Sequence, residues 1–261
     1  MSNSFLPPSS PLYEAPDLYA RAFEPPDPGQ AGFFATLLGS PGGRVLSLGC
    51  GEGRLEETLA RHGLRFVGID ASVAMAARAA RRDPFGLYVA ARMEALPLAP
   101  AGYAGALSAL LSFAYLTQRA QQEAVLRWLA VALMPGAPLV LEIPLAWRPR
   151  RLQGISERHE FGGGEYAFHY FDVLEENDSG AVLATAMRIA TPEAVAERHA
   201  PLMVFTPPGI RELLEAAGFE GVRFHAPYDL ESGTESPPRD CLRGVVVAQR
   251  RESLQRRGKD E

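Results

Sequence analysis

Glycines 49, 51 and 53 sit in the run Arg44-Val-Leu-Ser-Leu-Gly-Cys-Gly-Glu-Gly-Arg54, and Asp70 closes the run Val67-Gly-Ile-Asp70. These are the residues whose types and spacing suit ligand chemistry. Glycines after an apolar strand let a ligand come close to the backbone, and the amides there can face it. An acid that ends the next strand lies beside that turn and pairs with ribose hydroxyls. A glycine turn alone is an ordinary tight turn, and a strand-end Asp is ordinary too. Their pairing on neighbouring strands points to a nucleoside-bearing cofactor.

The spacing also bears on which cofactor. Dinucleotide enzymes use G-x-G-x-x-G, whose third glycine lets helix and strand pack closely. Here that slot holds Arg54, and Glu52 would put a carboxylate near a pyrophosphate. Both features disfavour an NAD- or FAD-type oxidoreductase. A cofactor with no phosphate and a cationic centre fits better.

The elements that must position these residues alternate. Short apolar strands are expected over 45–48, 66–69, 87–90, 106–111 and 139–143, with helices over 54–62, 73–82 and 121–133 between them. Ser72 is a helix N-cap and Asp83-Pro84 a stop. A helix over 208–217 and strands over 222–225 and 244–248 complete the pattern. This predicts an α/β fold with a Rossmann-like, seven-stranded, mostly parallel sheet and helices on both faces. Between 150 and 205 the rhythm becomes antiparallel, with a Gly162-Gly163-Gly164 turn, which reads as a small β flap inserted after the fifth strand. Residues 1–31, rich in proline and aromatics, read as a partly disordered arm with a short helix near 17–23 that covers the cofactor. The main domain spans 32–250 and a charged tail 251–261.

Bulk properties remove other classes. The 261 residues carry a net charge of -5, with 47% hydrophobic and 22% charged residues, so one globular domain is expected and nucleic acid is not an expected partner. Cys50 and Cys241 form neither a disulfide framework nor a zinc pattern, which fits a reducing cytoplasm. The proline-bearing N-terminus lacks a basic segment and reads as no signal peptide, and no apolar run is long enough to span a bilayer.

Beyond the glycine turn come Gly68-Ile-Asp70-Ala-Ser-Val-Ala-Met75, Met93-Glu-Ala-Leu-Pro-Leu98, Leu133-Met-Pro-Gly136 and Ile210-Arg-Glu-Leu-Leu-Glu-Ala-Ala-Gly-Phe219. This ordered succession resembles the class I S-adenosylmethionine-dependent methyltransferases, of the small-molecule type with an antiparallel flap, over most of residues 13–250. The resemblance implies transfer of a methyl group from S-adenosylmethionine to nitrogen or oxygen of a small molecule, by a monomer or homodimer. It implies that Gly49, Cys50 and Gly51 pass the methionine part of the cofactor and that Asp70 takes the ribose hydroxyls. Ala71 and Met75 would pack near the adenine, with Arg92, Met93 and Glu94 at its edge. Leu111, Ser112 and Phe113 would lie under the sulfonium, and Tyr19 would reach the methionine carboxylate.

The chain departs from the family where an acid is usual. Ser47 stands in the first strand, Arg92 after the third, and Ala104 before the fourth. Arg92 accepts no hydrogen bond, so it either stacks on the adenine or pairs with Glu94. A protein that binds S-adenosylmethionine or S-adenosylhomocysteine with weak or no transfer is the alternative reading. On the acceptor side, Tyr115, His169 and Tyr170 are the candidate catalytic residues. The basic run Arg148, Arg150 and Arg151 reads as a solvated face, with an acidic acceptor as its other use.

Overall fold

A computed structural model describes residues 12–23, 28–39, 42–96, 102–235, 237 and 240–252. The first residues of the expected arm, residues 24–27, Pro97 and Leu98 of one motif, and the tail from 253 lie outside the described residues.

The chain runs α1 (Pro16–Ala22), α2 (Pro28–Leu38), β1 (Arg44–Leu48), α3 (Arg54–Ala60), β2 (Arg65–Asp70), α4 (Val73–Arg82), β3 (Leu87–Ala90) and β4 (Gly105–Ser108). A 3-10 turn over Ser112–Tyr115 leads to α5 (Arg119–Ala132) and β5 (Pro138–Leu145). Then come β6 (Ser156–Phe161), β7 (Gly164–Asn177), β8 (Gly180–Ala190), β9 (Val195–Phe205), α6 (Pro207–Ala216), β10 (Phe219–His225) and β11 (Cys241–Arg250).

Strands β3-β2-β1-β4-β5 pair in parallel, and β11 and β10 extend them antiparallel. That path has seven strands. The sheet as described nevertheless has eleven, because β6 to β9 are hydrogen-bonded into it rather than set apart. The join is a single register pair, Leu145 with Phe205, at the end of β5.

Alternation on β1 splits the core. Val45 faces α2 and α3 with Phe34, Leu55 and Leu59, while Leu46 and Leu48 face the other side with Ile69, Leu126 and Leu141. Ser47 shares the face of Val45, so its hydroxyl points toward α3. Helix α4 starts as its N-cap predicts, with Ser72 Oγ accepting from Met75 N–H at 3.2 Å.

Strand β4 stops at Ser108, short of the expected 111. Leu110 and Leu111 take left-handed φ of 48° and 65°, which non-glycine residues rarely adopt. Buried Glu142 of β5 holds them there: its Oε2 accepts from Leu110 N–H at 3.0 Å and its carbonyl from Leu111 N–H at 3.2 Å. Strain held by a buried carboxylate marks the edge of the site.

Candidate functional site

The glycine turn is pinned to the end of β2. Gly49 and Cys50 both donate to the Ile69 carbonyl, at 2.8 and 3.0 Å. All three glycines are left-handed, with φ of 71°, 55° and 77°, but they have different neighbours. A Cβ on Gly49 would lie 2.4 Å from Ser112 Cβ, and one on Gly53 would lie 2.8 Å from the Ala79 backbone of α4. A Cβ on Gly51 would meet nothing within 4 Å. Gly49 and Gly53 are therefore bare for packing, whereas Gly51 borders open space.

Asp70 stands next to Gly51. Its Oδ2 accepts from Gly51 N–H at 2.8 Å and its Oδ1 from Ser72 N–H at 2.9 Å. Burial raises its pKa, and those two amides pull it back down. The amides of Gly49, Cys50, Gly51 and Gly53 are thus occupied inside the protein, since Gly53 also donates to the Cys50 carbonyl. This corrects the expectation that they face a ligand. A phosphate cradle needs free N–H groups, so the turn suits a phosphate-free ligand that offers hydroxyl donors to Asp70.

Glu52 also turns away from the ligand side. It is buried, and Arg78 Nε reaches it at 2.7 Å and Arg82 at 3.5 Å. Arg78 holds Asp17 of α1 as well, which ties the N-terminal helix to the glycine turn. Cys50 buries its thiol toward Gly68, where it donates to the Gly51 carbonyl at 3.7 Å, and burial pushes that thiol up. Ala71 is exposed beside Asp70, and Met75 is buried in α4.

Ser47 has a carboxylate partner after all. Its hydroxyl donates to Glu56 Oε1 of α3 at 2.5 Å. Arg92 pairs with Glu94, at 2.5 Å from Nη2 to Oε1, rather than standing free. Ser112 Oγ donates to the Gly49 carbonyl at 3.2 Å, and Met93 Cε lies nearby.

Above the turn lies an aromatic pocket. Tyr13, Tyr19 and Phe23 from the N-terminal segment meet Leu110, Leu111, Tyr115, Tyr166 and Phe168 there. Met187 and Arg243 complete its wall. Tyr19 and Phe23 rings are 4.5 Å apart, and Phe23 meets Tyr166 edge-on at 4.9 Å. Arg198 of β9 stacks on the Tyr115 ring at 3.8 Å and donates to Tyr13 Oη at 3.3 Å. Burial pushes the hydroxyls of Tyr13, Tyr19 and Tyr166 up.

Three candidate side chains point elsewhere. Phe113 is fully buried and stacks on Phe205 at 6.0 Å, in the core. His169 lies on the face of β7 opposite Tyr166 and Phe168, because successive strand residues alternate. It contacts Ser156 Oγ at 2.7 Å and Phe171 instead. Tyr170 shares the pocket-side parity but is buried against Phe168, with its hydroxyl pushed up. Tyr115 and Tyr19 do line the pocket. The sequence reading missed Tyr13, Phe23, Leu110, Phe168, Met187, Arg198 and Arg243. One signal was available for Arg198: it alternates with Ala196, Ala200 and Leu202, so its parity is that of the buried face.

A profile of the methyltransferase domain matches residues 13–223. The fold is similar to the CcbJ methyltransferase of Streptomyces caelestis, with a TM-score of 0.69 and 20% identity over 87% of this chain and 97% of that one. It is similar to S-adenosylmethionine-bound CalS10, an amino pentose methyltransferase of Micromonospora echinaspora, with a TM-score of 0.64 and 22% identity over 92% and 96%. It is also similar to the sugar N-methyltransferase KedS8 of a Streptoalloteichus species, with a TM-score of 0.63 and 22% identity over 90% and 92%. The search of curated proteins gave no significant match. Among the described residues no helix is long and apolar enough to cross a membrane.

Proposed function

Because the chain belongs to the methyltransferase-domain family, we propose that it transfers a methyl group from S-adenosylmethionine to a small-molecule acceptor, at nitrogen. The observation that carries this is the glycine turn: open space at Gly51, Asp70 beside it, and amides already engaged. That combination fits a ribose diol with no pyrophosphate attached.

In this reading Asp70 holds the ribose hydroxyls, and the bare Cα of Gly51 borders the methionine arm. Met93 packs by the adenine, and Glu94 offers a carboxylate two residues from the position where Arg92 offers none. The cofactor supplies an electrophilic methyl on a sulfonium. The protein aligns the acceptor and excludes water, which suits a pocket walled by aromatic rings.

Nitrogen is favoured over oxygen by the pocket's ionisable groups. A hydroxyl acceptor gains from a general base. Among the residues lining the pocket, the hydroxyls of Tyr13, Tyr19 and Tyr166 are pushed up and Arg243 is a cation, so none of these four takes a proton at neutral pH. An amine needs only its own lone pair. The neighbouring cation Arg198, stacked on Tyr115, disfavours the ammonium form and so keeps that lone pair available. The amino-pentose and sugar N-methyltransferase activities named for two fold neighbours agree with this choice.

The test is incubation with S-adenosylmethionine and matched amino and hydroxyl acceptors, following S-adenosylhomocysteine release. Turnover with amines is expected. Cofactor binding with no turnover on any acceptor would instead favour a cofactor-binding protein without transferase activity.

A further inference from the structure

We infer that the methyl acceptor carries an anionic group, a carboxylate or phosphoryl group, which Arg243 receives at the wall of the aromatic pocket. This rests on the methyltransferase reading above and adds the charge of the acceptor to it.

Arg243 sits on β11 and lines the pocket together with Tyr19, Tyr166 and Phe168. It is largely buried. The other arginines around the site have their positions filled. Arg78 holds Glu52 and Asp17, Arg92 holds Glu94, and Arg198 is stacked between Tyr115 and Tyr13. Arg243 makes no hydrogen bond or ion pair with another described residue. Glu142 and Glu157 lie within its electrostatic range but not in contact with it. Glu142 is already committed, accepting from Leu110 N–H and Tyr228 Oη.

A guanidinium has five N–H donors in a planar fork and no way to discharge itself. Keeping it largely out of water beside aromatic rings, without an acceptor, is costly. An acceptor molecule that brings two coplanar oxygens removes that cost and gains charge-assisted hydrogen bonds. Its uncharged part would lie on the rings of Tyr19, Tyr166 and Phe168. The exposed run at 148–151 does not do this work. Arg150 there is paired with Glu176, and the run borders a different cleft, with Trp147 and Thr206.

The test uses the full chain loaded with S-adenosylhomocysteine and titrated calorimetrically with pyrophosphate, inorganic phosphate and malonate. Saturable binding of at least one of these anions is expected, and the tightest identifies which oxygen acid the site prefers. Arg243→Gln should weaken that binding by roughly tenfold or more. Arg243→Lys should recover part of it, since lysine keeps the charge but not the fork. Affinity for S-adenosylhomocysteine should be equal in all three proteins. If S-adenosylhomocysteine binds but no anion does, or if Arg243→Gln binds the anion as the wild type does, the inference is overturned. If S-adenosylhomocysteine itself does not bind, the methyltransferase reading falls and this inference with it.

Discussion

Glu56 of α3 accepts a hydrogen bond from the hydroxyl of Ser47 at 2.5 Å, which brings a carboxylate from the helix to a strand that has none of its own. Ser47 faces α3 because it shares the parity of Val45 on β1. Glu56 is 2% exposed, and its Oε2 has no hydrogen-bond partner among the described residues. Burial pushes its pKa up to about 7, and the Ser47 hydroxyl restrains that rise.

Glu56 therefore makes stability pH-dependent with a definite sign. The folded protein keeps this proton until about pH 7, whereas an unfolded glutamate loses it near 4.5. Between those values the folded state binds more protons, so stability falls as pH rises, by up to about 1.4 kcal/mol per pH unit. Asp70, also raised, adds in the same direction. Thermal melts across this window should show Glu56→Gln gaining on the wild type as pH increases. Parallel curves would remove Glu56 as the source.

The glycines separate packing from ligand binding. Gly51→Ala should lower stability by about 1–2 kcal/mol, the cost of a left-handed alanine, yet abolish most S-adenosylhomocysteine binding, because its Cβ enters the open space. Gly53→Ala should cost more stability than that, since its Cβ would meet the Ala79 backbone at 2.8 Å. Melting temperatures and calorimetry on both variants check the contrast.

Arg198 clamps the N-terminal segment onto the pocket by stacking on Tyr115 and holding Tyr13. A desolvated cation–π contact is worth about 2 kcal/mol. Arg198→Gln should speed hydrogen exchange across α1 and raise KM for both substrates, with a smaller change in kcat. Unchanged exchange over residues 13–23 would contradict this role.

His169→Ala should leave turnover within about twofold, because the pleat of β7 turns the ring away from the pocket. Steady-state kinetics decide it. A large loss would mean that β7 changes register during catalysis.

How much was legible depended on how local the cause was. Helix α4 is set by Ser72, its alanine-rich run and Asp83-Pro84, all close in sequence, and it spans the residues expected. The turn at Leu110 and Leu111 was not legible, because Glu142, some thirty residues away, holds it. The Ser47–Glu56 pair spans a strand, a turn and a helix, so the missing acid was visible and its replacement was not. His169 was misplaced because hairpin register decides which face a strand residue takes. Arg198 was readable from its parity among Ala196, Ala200 and Leu202. Arg243 was not, because only the fold brings β11 to the pocket.

The proposed function rests on Asp70 holding the ribose of S-adenosylmethionine while the open edge of Gly51 borders its methionine arm. Calorimetric titration of the wild type and Asp70→Asn with S-adenosylmethionine and S-adenosylhomocysteine tests it most directly. Losing charge-assisted hydrogen bonds of about 1.5–3 kcal/mol predicts that both ligands bind the wild type and bind Asp70→Asn roughly tenfold or more weakly. Equal affinity in the two proteins, or no binding of either ligand at millimolar concentration, would contradict it.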